Sequence, residues 1–328
     1  MPDLHPCIQS LLAAGKGILA ADESGSTIKK RLDTISLPST EENQRAYRDL
    51  LFTTPGLNEF ISGVILFEET VYQKTGDGVV FGDFLTTKGI VPGIKVDKST
   101  VDLARFPKEK VTEGLDGLPA RLAEFRKRGM RFTKWRAVFS IGPALPSRTA
   151  LKANADRLAL FAVLSQEAGL VPIVEPEVLM NGDHTLARCE EVTEATLNCV
   201  FHSLFAYRVE LEGMLLKTGM VVSGDKCPDQ SGEQAVAEAT LRCLRRTVPG
   251  AVPGIVFLSG GQSADVASQN LKAIATSKEI LPWKVSFSFG RALQEKALAT
   301  WKGNPANIPE AQRALYEAAE RNGRALKP

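Results

Sequence analysis

The chain has 328 residues, 44% hydrophobic and 24% charged. That is the balance of a folded globular protein, and the length suffices for a large core without disulfide or metal staples. Lys and Arg number 40 against 38 Asp and Glu, a net charge of +2, so no basic surplus points to nucleic acid or to a membrane anchor. No apolar run approaches the roughly 20 residues of a membrane helix, and MPDLHPCIQSLL at the start lacks the regions of a secretory signal.

In chain order, short apolar segments alternate with longer amphipathic ones. The short ones are GKGILAADES (15–24), ISGVILFEE (61–69), IVPGIKVD (90–97), KWRAVFSIG (134–142), VPIVEPEV (171–178), EGMLLKTG (212–219), GIVFLSGG (254–261) and KVSFSFGR (284–291). Each is β-branched and apolar for a few residues, then turns to glycine or charge, as a strand buried on both faces does. The stretches between them carry helical spacing, as in LKANADRLALFAVLSQEAG and SADVASQNLKAIATS. Ser39-x-x-Glu42 and Ser231-x-x-Gln234 read as capping boxes. Residues 74–89, KTGDGVVFGDFLTTKG, read as a Gly-rich connection with a hairpin.

Eight strands with helices between them predict an α/β fold, a closed (β/α)8 TIM barrel. An open doubly wound sheet is the alternative, but no G-x-G-x-x-G or Walker A motif supports it. The expected organisation is one barrel domain over 1–328. Residues 1–14 form an N-terminal helical extension and 303–328 a C-terminal helical region.

The five cysteines (Cys7, Cys189, Cys199, Cys227 and Cys243) contain no Cys-x-x-Cys pair. They read as thiols of a reduced, cytoplasmic protein. His5, His184 and His202 are far apart, so no metal centre is expected.

The carboxyl ends of barrel strands form the active face of this fold. Those ends carry Asp22, Glu68 or Glu69, Lys95, Lys134 with Arg136, Glu175 with Glu177, Lys217, Ser259 with Gly260 and Gly261, and Arg291 after Gly290. Singly each has an ordinary structural reading as a surface charge, a cap or a turn. Together the fold brings them to one rim. Lys95, Lys134 and Lys217 would face one site, where like charge and burial both lower a lysine pKa. A partly neutral lysine attacks a carbonyl to give an imine. Lys217, after LEGMLL, has the most enclosed stem; Glu175 could shuttle protons, and Asp22 is a second acceptor. Ser259-Gly260-Gly261 and Gly290-Arg291 precede helices and suit a phosphate. Lys95 and Arg136 could hold a second anion across the rim.

These motifs resemble the class I, Schiff-base fructose-1,6-bisphosphate aldolases. GKGILAADES, GVILFEETVYQK, GIKVDK, KWRAVFSIG, IVEPEVLMNGDH, LEGMLLK, FLSGGQS and GRALQ occur in family order along almost all of the chain. The resemblance implies a metal-independent, cofactor-free lyase that reversibly cleaves fructose 1,6-bisphosphate to dihydroxyacetone phosphate and glyceraldehyde 3-phosphate in glycolysis and gluconeogenesis. Lys217 looks like the imine-forming lysine. Glu175 looks like the proton carrier, Lys134 and Asp22 like the pair that orients the site, and Glu177 like a further catalytic carboxylate. Ser259, Gly260, Gly261, Gly290 and Arg291 look like the C1-phosphate site. Lys95 and Arg136, with Ser26, Thr27 and Arg31, look like the C6-phosphate side, and Arg45 like a further substrate-binding residue. The family implies a cytoplasmic homotetramer, or a plastid protein once a transit peptide is removed. Some members also hold cytoskeletal or regulatory partners; a non-catalytic or moonlighting scaffold on the same fold is the alternative function.

The sequence departs from the family pattern at Thr218-Gly219, where Pro-Asn is usual. It also departs at Phe289 for a tyrosine, Gln44 for an arginine and Ser140 for a lysine. It ends at ALKP, whereas many members continue into a tail ending in tyrosine. In a chain without that tail, enamine protonation is expected to limit cleavage while imine formation survives.

Overall fold

The computed structural model describes residues 3–327. Residues 1, 2 and 328, at the tips of the two expected terminal extensions, lie outside the described residues. In chain order the elements are α1 (His5–Leu11), β1 (Gly17–Ala21), α2 (Gly25–Asp33), α3 (Glu41–Phe52), β2 (Ile61–Leu66), α4 (Phe81–Thr87) and β3 (Val91–Lys95). There follow β4 (Thr100–Asp102), β5 (Lys110–Thr112), α5 (Leu118–Lys127), β6 (Phe132–Phe139), α6 (Arg148–Glu167), β7 (Val171–Val178) and α7 (Leu186–Ala206). The chain continues through β8 (Leu215–Thr218), α8 (Glu233–Thr247), β9 (Gly254–Phe257), α9 (Ala264–Ala275), β10 (Lys284–Phe289), α10 (Arg291–Trp301) and α11 (Ile308–Ala325).

Eight parallel strands close in the order β1-β10-β9-β8-β7-β6-β3-β2, so the barrel expectation holds. The helices between strands pack outside. Period-two alternation divides the side chains between two cores. Outward residues such as Leu19, Trp135, Val174, Leu216 and Phe257 pack in the outer cluster with the helices. Inward residues Ile18, Ile65, Phe132, Val171, Ile173, Leu215 and Val256 fill the amino-terminal half of the barrel.

The α1 segment plugs that half. Leu4, Ile8, Leu11 and Leu12 join the inner cluster, so the N-terminal extension completes the barrel's core. Gly93 on β3 makes room for Phe132; a Cβ there would collide with the ring.

Three local expectations change, and one element was not expected. The cap of α3 is Thr40, which accepts from Asn43 N, one residue beyond the expected Ser39. Ser39 instead accepts from Gln44 Nε2 at 2.9 Å. Gly232, not Ser231, occupies the cap position of α8, and the Ser231 hydroxyl pairs with Ser223 Oγ at 3.1 Å. Within 74–89 the expected hairpin shrinks to one Lys74–Val80 bridge. The chain then becomes α4, because Phe81 and Leu85, four apart, bury on one face. The short antiparallel β4–β5 pair is a hairpin that the apolar periodicity does not show.

Candidate active site

The inward face of each strand changes character along its length. Phe132 is followed on that face by Lys134 and Arg136, Ile173 by Glu175 and Glu177, Leu215 by Lys217, and Ala20 by Asp22. Register aligns them in tiers: Lys95 on β3 is level with Lys134 on β6, and Arg136 is level with Glu175 on β7. The apolar half of the barrel thus forms the floor of a cavity of about 300 Å³, lined by these charged side chains and by the strand-end loops. That size suits a small organic ligand.

Charges on the floor alternate. Lys134 Nζ is 2.6 Å from Asp22 Oδ2 and 3.1 Å from Glu175 Oε2. Lys217 Nζ is 3.0 Å from Glu175 Oε1. All four side chains are largely buried. Burial disfavours each carboxylate, but Lys134 and Lys217 outweigh it and hold Asp22 and Glu175 below the ordinary carboxylate range. Burial likewise disfavours the Lys134 ammonium, yet Asp22, Glu175 and Asp97 raise its pKa above the ordinary lysine value. This corrects the expectation of mutual lysine repulsion: for Lys134 the carboxylates between the lysines win. Lys134 is bracketed by two carboxylates, whereas Lys217 meets one that it shares.

The two sides of the cavity differ. On one, Lys95 pairs with Asp97, and Arg136 Nε lies 2.5 Å from Glu177 Oε2. Burial disfavours the Arg136 cation, but Glu177 overrides it and raises its pKa. Asp97 also accepts from Ser99 N at 3.1 Å and Arg136 N at 3.2 Å, tying β3 to β6. On the other side Ser259, Gly260 and Gly261 lead into α9, capped by Ser263. Gly260 and Gly261 take φ values of +57° and +96°, which glycine adopts without strain. Gly290 opens α10, and Arg291 Nη2 donates to Gly261 O at 2.6 Å. Among the described residues no carboxylate pairs with Arg291, so its charge is uncompensated.

Of the residues singled out from sequence, most line this cavity. Arg31 also lines it, but beside Gly290: its Nη2 is 3.6 Å from where a Gly290 Cβ would stand. Ser26 does not line the cavity; Ser24 and Thr27 do. Arg45 is turned along α3 to Glu42 at 2.8 Å and donates to Lys74 O. Glu68 pairs with Arg121 outside the site. Sequence reasoning missed Ser288, buried in the wall with an unpartnered hydroxyl. It sits two residues from Gly290, and the Ser-x-Ser alternation of KVSFSFG marks the inward face. It also missed Asp97, the carboxylate that closes the GIKVD motif two residues after Lys95.

Among the described residues no group of three or more His, Cys, Asp or Glu is placed to hold a metal ion, and all five cysteines are free.

A family model for glycolytic fructose-bisphosphate aldolase class-I matches residues 3–327. The chain belongs to the class-I fructose-bisphosphate aldolase family. A “Probable fructose-bisphosphate aldolase class 1” from Xanthomonas campestris is 53% identical over 96% of this chain and 94% of the relative. The cytosolic fructose-bisphosphate aldolase 6 of Arabidopsis thaliana is 52% identical over 95% of this chain and 87% of the relative. The fructose-bisphosphate aldolase of Plasmodium falciparum, solved in a ternary complex with TRAP and a small-molecule inhibitor, superposes with a TM-score of 0.96. It shares 49% identity and covers 98% of this chain and 93% of its own. The positions at which this aldolase-family chain departs from the family pattern (Gln44, Ser140, Thr218, Gly219 and Phe289) are absent from the cavity lining.

Proposed function

We propose that this chain reversibly cleaves fructose 1,6-bisphosphate to dihydroxyacetone phosphate and glyceraldehyde 3-phosphate through an imine on Lys217. The observation that carries the reading is the buried series Lys217–Glu175–Lys134–Asp22 lying between two cationic or glycine-rich ends.

In this reading Lys217 gives a proton to Glu175 across their 3.0 Å gap. Its free amine then attacks the C2 ketone. Glu175 returns the proton to the departing hydroxyl, which leaves as water, and an iminium remains. Glu175, again a carboxylate, takes the C4 hydroxyl proton. The C4–O electrons form the aldehyde as C3–C4 breaks, and the C3 pair moves into the enamine. Glyceraldehyde 3-phosphate leaves. Glu175 gives the proton it took from the C4 hydroxyl to C3, and hydrolysis of the iminium releases dihydroxyacetone phosphate and restores Lys217. Lys134, held protonated, supplies positive charge to the developing oxyanions, and Asp22 fixes its position. Glu177 holds Arg136.

The Ser259–Gly261 and Gly290–Arg291 loops would take the C1 phosphate on backbone N–H groups and on Arg291. Lys95 and Arg136, with Thr27, would take the C6 phosphate. We further place the protein in the cytoplasm as a homotetramer. Among the described residues no helix is long and apolar enough to cross a membrane.

The test is a coupled cleavage assay with fructose 1,6-bisphosphate in the presence of EDTA. The reading expects triose phosphates to form at an undiminished rate. No cleavage by the folded protein, or cleavage abolished by EDTA, contradicts it.

A further inference from the structure

In the cavity wall, Glu23 and Arg31 belong to a second charge cluster with no part in the imine chemistry. Glu23, next in sequence to Asp22, is buried. Its Oε2 accepts from Arg48 Nη1 at 2.5 Å, and its Oε1 lies 2.8 Å from Arg31 Nη1. Arg48 is almost wholly enclosed, whereas Arg31 keeps 20% of its side chain exposed. Arg31 is thus the only one of the two guanidiniums that reaches the cavity lining. Gln294 completes the mount. Its Oε1 accepts from Tyr47 OH at 2.9 Å and from Arg31 Nη1 at 3.4 Å, and its Nε2 donates to Ala20 O at 2.7 Å.

All these contacts engage the Nη1 end of Arg31. The Nη2 end faces Gly290, at the mouth of α10. One carboxylate is divided between two guanidiniums, so the cluster keeps a surplus positive charge. Lys95 and Arg136 differ, because each has a carboxylate of its own. A cation that is aimed but not neutralised, beside free backbone amides, is suited to a phosphate oxygen.

We propose that Glu23 is a positioning residue for phosphate recognition. It aims Arg31 at the Gly290 end of the cavity, and Arg48 takes enough of its charge to leave Arg31 cationic toward the ligand. This deepens the proposed function and rests on it for the identity of the ligand.

The experiment measures inorganic phosphate binding by titration calorimetry, and steady-state kinetics with fructose 1,6-bisphosphate, for the full chain and for Glu23→Gln, Arg31→Gln and the double variant. Each single variant is expected to raise the phosphate Kd and the bisphosphate KM about tenfold, the loss of one well-aimed charged contact. The Glu23→Gln kcat is expected to stay within about twofold. The double variant is expected to be no worse than Arg31→Gln, because Glu23 acts through Arg31. Since Glu23→Gln leaves both guanidiniums without their carboxylate and Arg48 is buried, the paired variant Glu23→Gln with Arg48→Met removes the buried partner too. It is expected to show the same tenfold weakening in a folded protein. Unchanged phosphate binding in Glu23→Gln or in the paired variant overturns the proposal. So does a loss confined to kcat, or additive losses in the double variant. If the unsubstituted protein binds phosphate but cleaves nothing, the proposed function fails while the Glu23 result still stands or falls on the binding data.

Discussion

Lys217 Nζ and Glu175 Oε1 stand 3.0 Å apart at the floor of the cavity, and the other oxygen of Glu175 faces Lys134 at 3.1 Å. One carboxylate therefore serves two ammonium groups. Glu175 Oε2 is fully enclosed by protein and ion-paired to Lys134. Oε1, beside Lys217, is the oxygen placed to accept its proton, as a proton carrier must be.

Removing that charge tests the arrangement. Glu175→Gln is expected to lower kcat by about 10²–10⁴-fold, the usual contribution of a placed acid–base group. It also strips two buried ammoniums of a shared carboxylate, with an expected stability loss of about 3–5 kcal/mol. Steady-state kinetics and denaturant unfolding read the two effects. Near-unchanged kcat argues that another carboxylate carries the proton.

How much of this was legible beforehand differs by level. The eight buried strands were readable because a barrel strand is apolar on both faces, and the charges that end each segment marked the active rim. Lys217, Glu175, Lys134 and Asp22 converge as their strand-end positions implied. What the sequence did not show is which charge neighbours which. Lys95 and Lys134 are register partners, but their neutralising carboxylates come from other positions, namely Asp97 two residues on and Asp22 just past the end of β1. That cross-barrel pairing set the direction of the Lys134 shift and reversed the expectation. Glu68 looked like a site residue because polar side chains near strand ends look alike, and Arg45 was implied only by the family resemblance; three-dimensional placement shows them turned to Arg121 and Glu42.

The second anion position is open to a substrate comparison. Lys95→Ala or Arg136→Ala is expected to raise KM for fructose 1,6-bisphosphate by about 10–100-fold, as loss of a charged contact does. With a ketose carrying only the C1 phosphate the effect is expected to be within about threefold. Equal damage with both substrates contradicts the assignment of these residues to the second phosphate.

The pH dependence of stability follows from the shift directions. Asp22 and Glu175 have folded pKa values below their unfolded ones. Their contribution is present above the unfolded values of about 4 and is lost as pH falls from there through the lower folded values. Lys134 is raised, so its contribution is complete below about 10.4 and is lost only as pH rises through its folded value. From these groups Tm is expected to be flat between about pH 5 and 9 and to fall steeply in acid. A step in Tm near neutrality that Asp22→Asn or Glu175→Gln abolishes contradicts these directions.

The floor itself rests on close packing. Gly93→Ala would drive a methyl group into the Phe132 ring, with an expected loss of about 1–3 kcal/mol from overpacking. Phe132→Ala, which opens a cavity in the same layer, is expected to cost about 3–5 kcal/mol. Urea unfolding measures both. A neutral Gly93→Ala implies that the ring has somewhere to move.

The central claim is that Lys217, and not its better-compensated neighbour Lys134, forms the covalent intermediate. The most direct measurement is borohydride reduction of the protein with dihydroxyacetone phosphate in EDTA, with the adduct mapped by peptide mass. The structure predicts a single stable adduct on Lys217. An adduct on Lys134 or Lys95, or none on folded protein, contradicts the account.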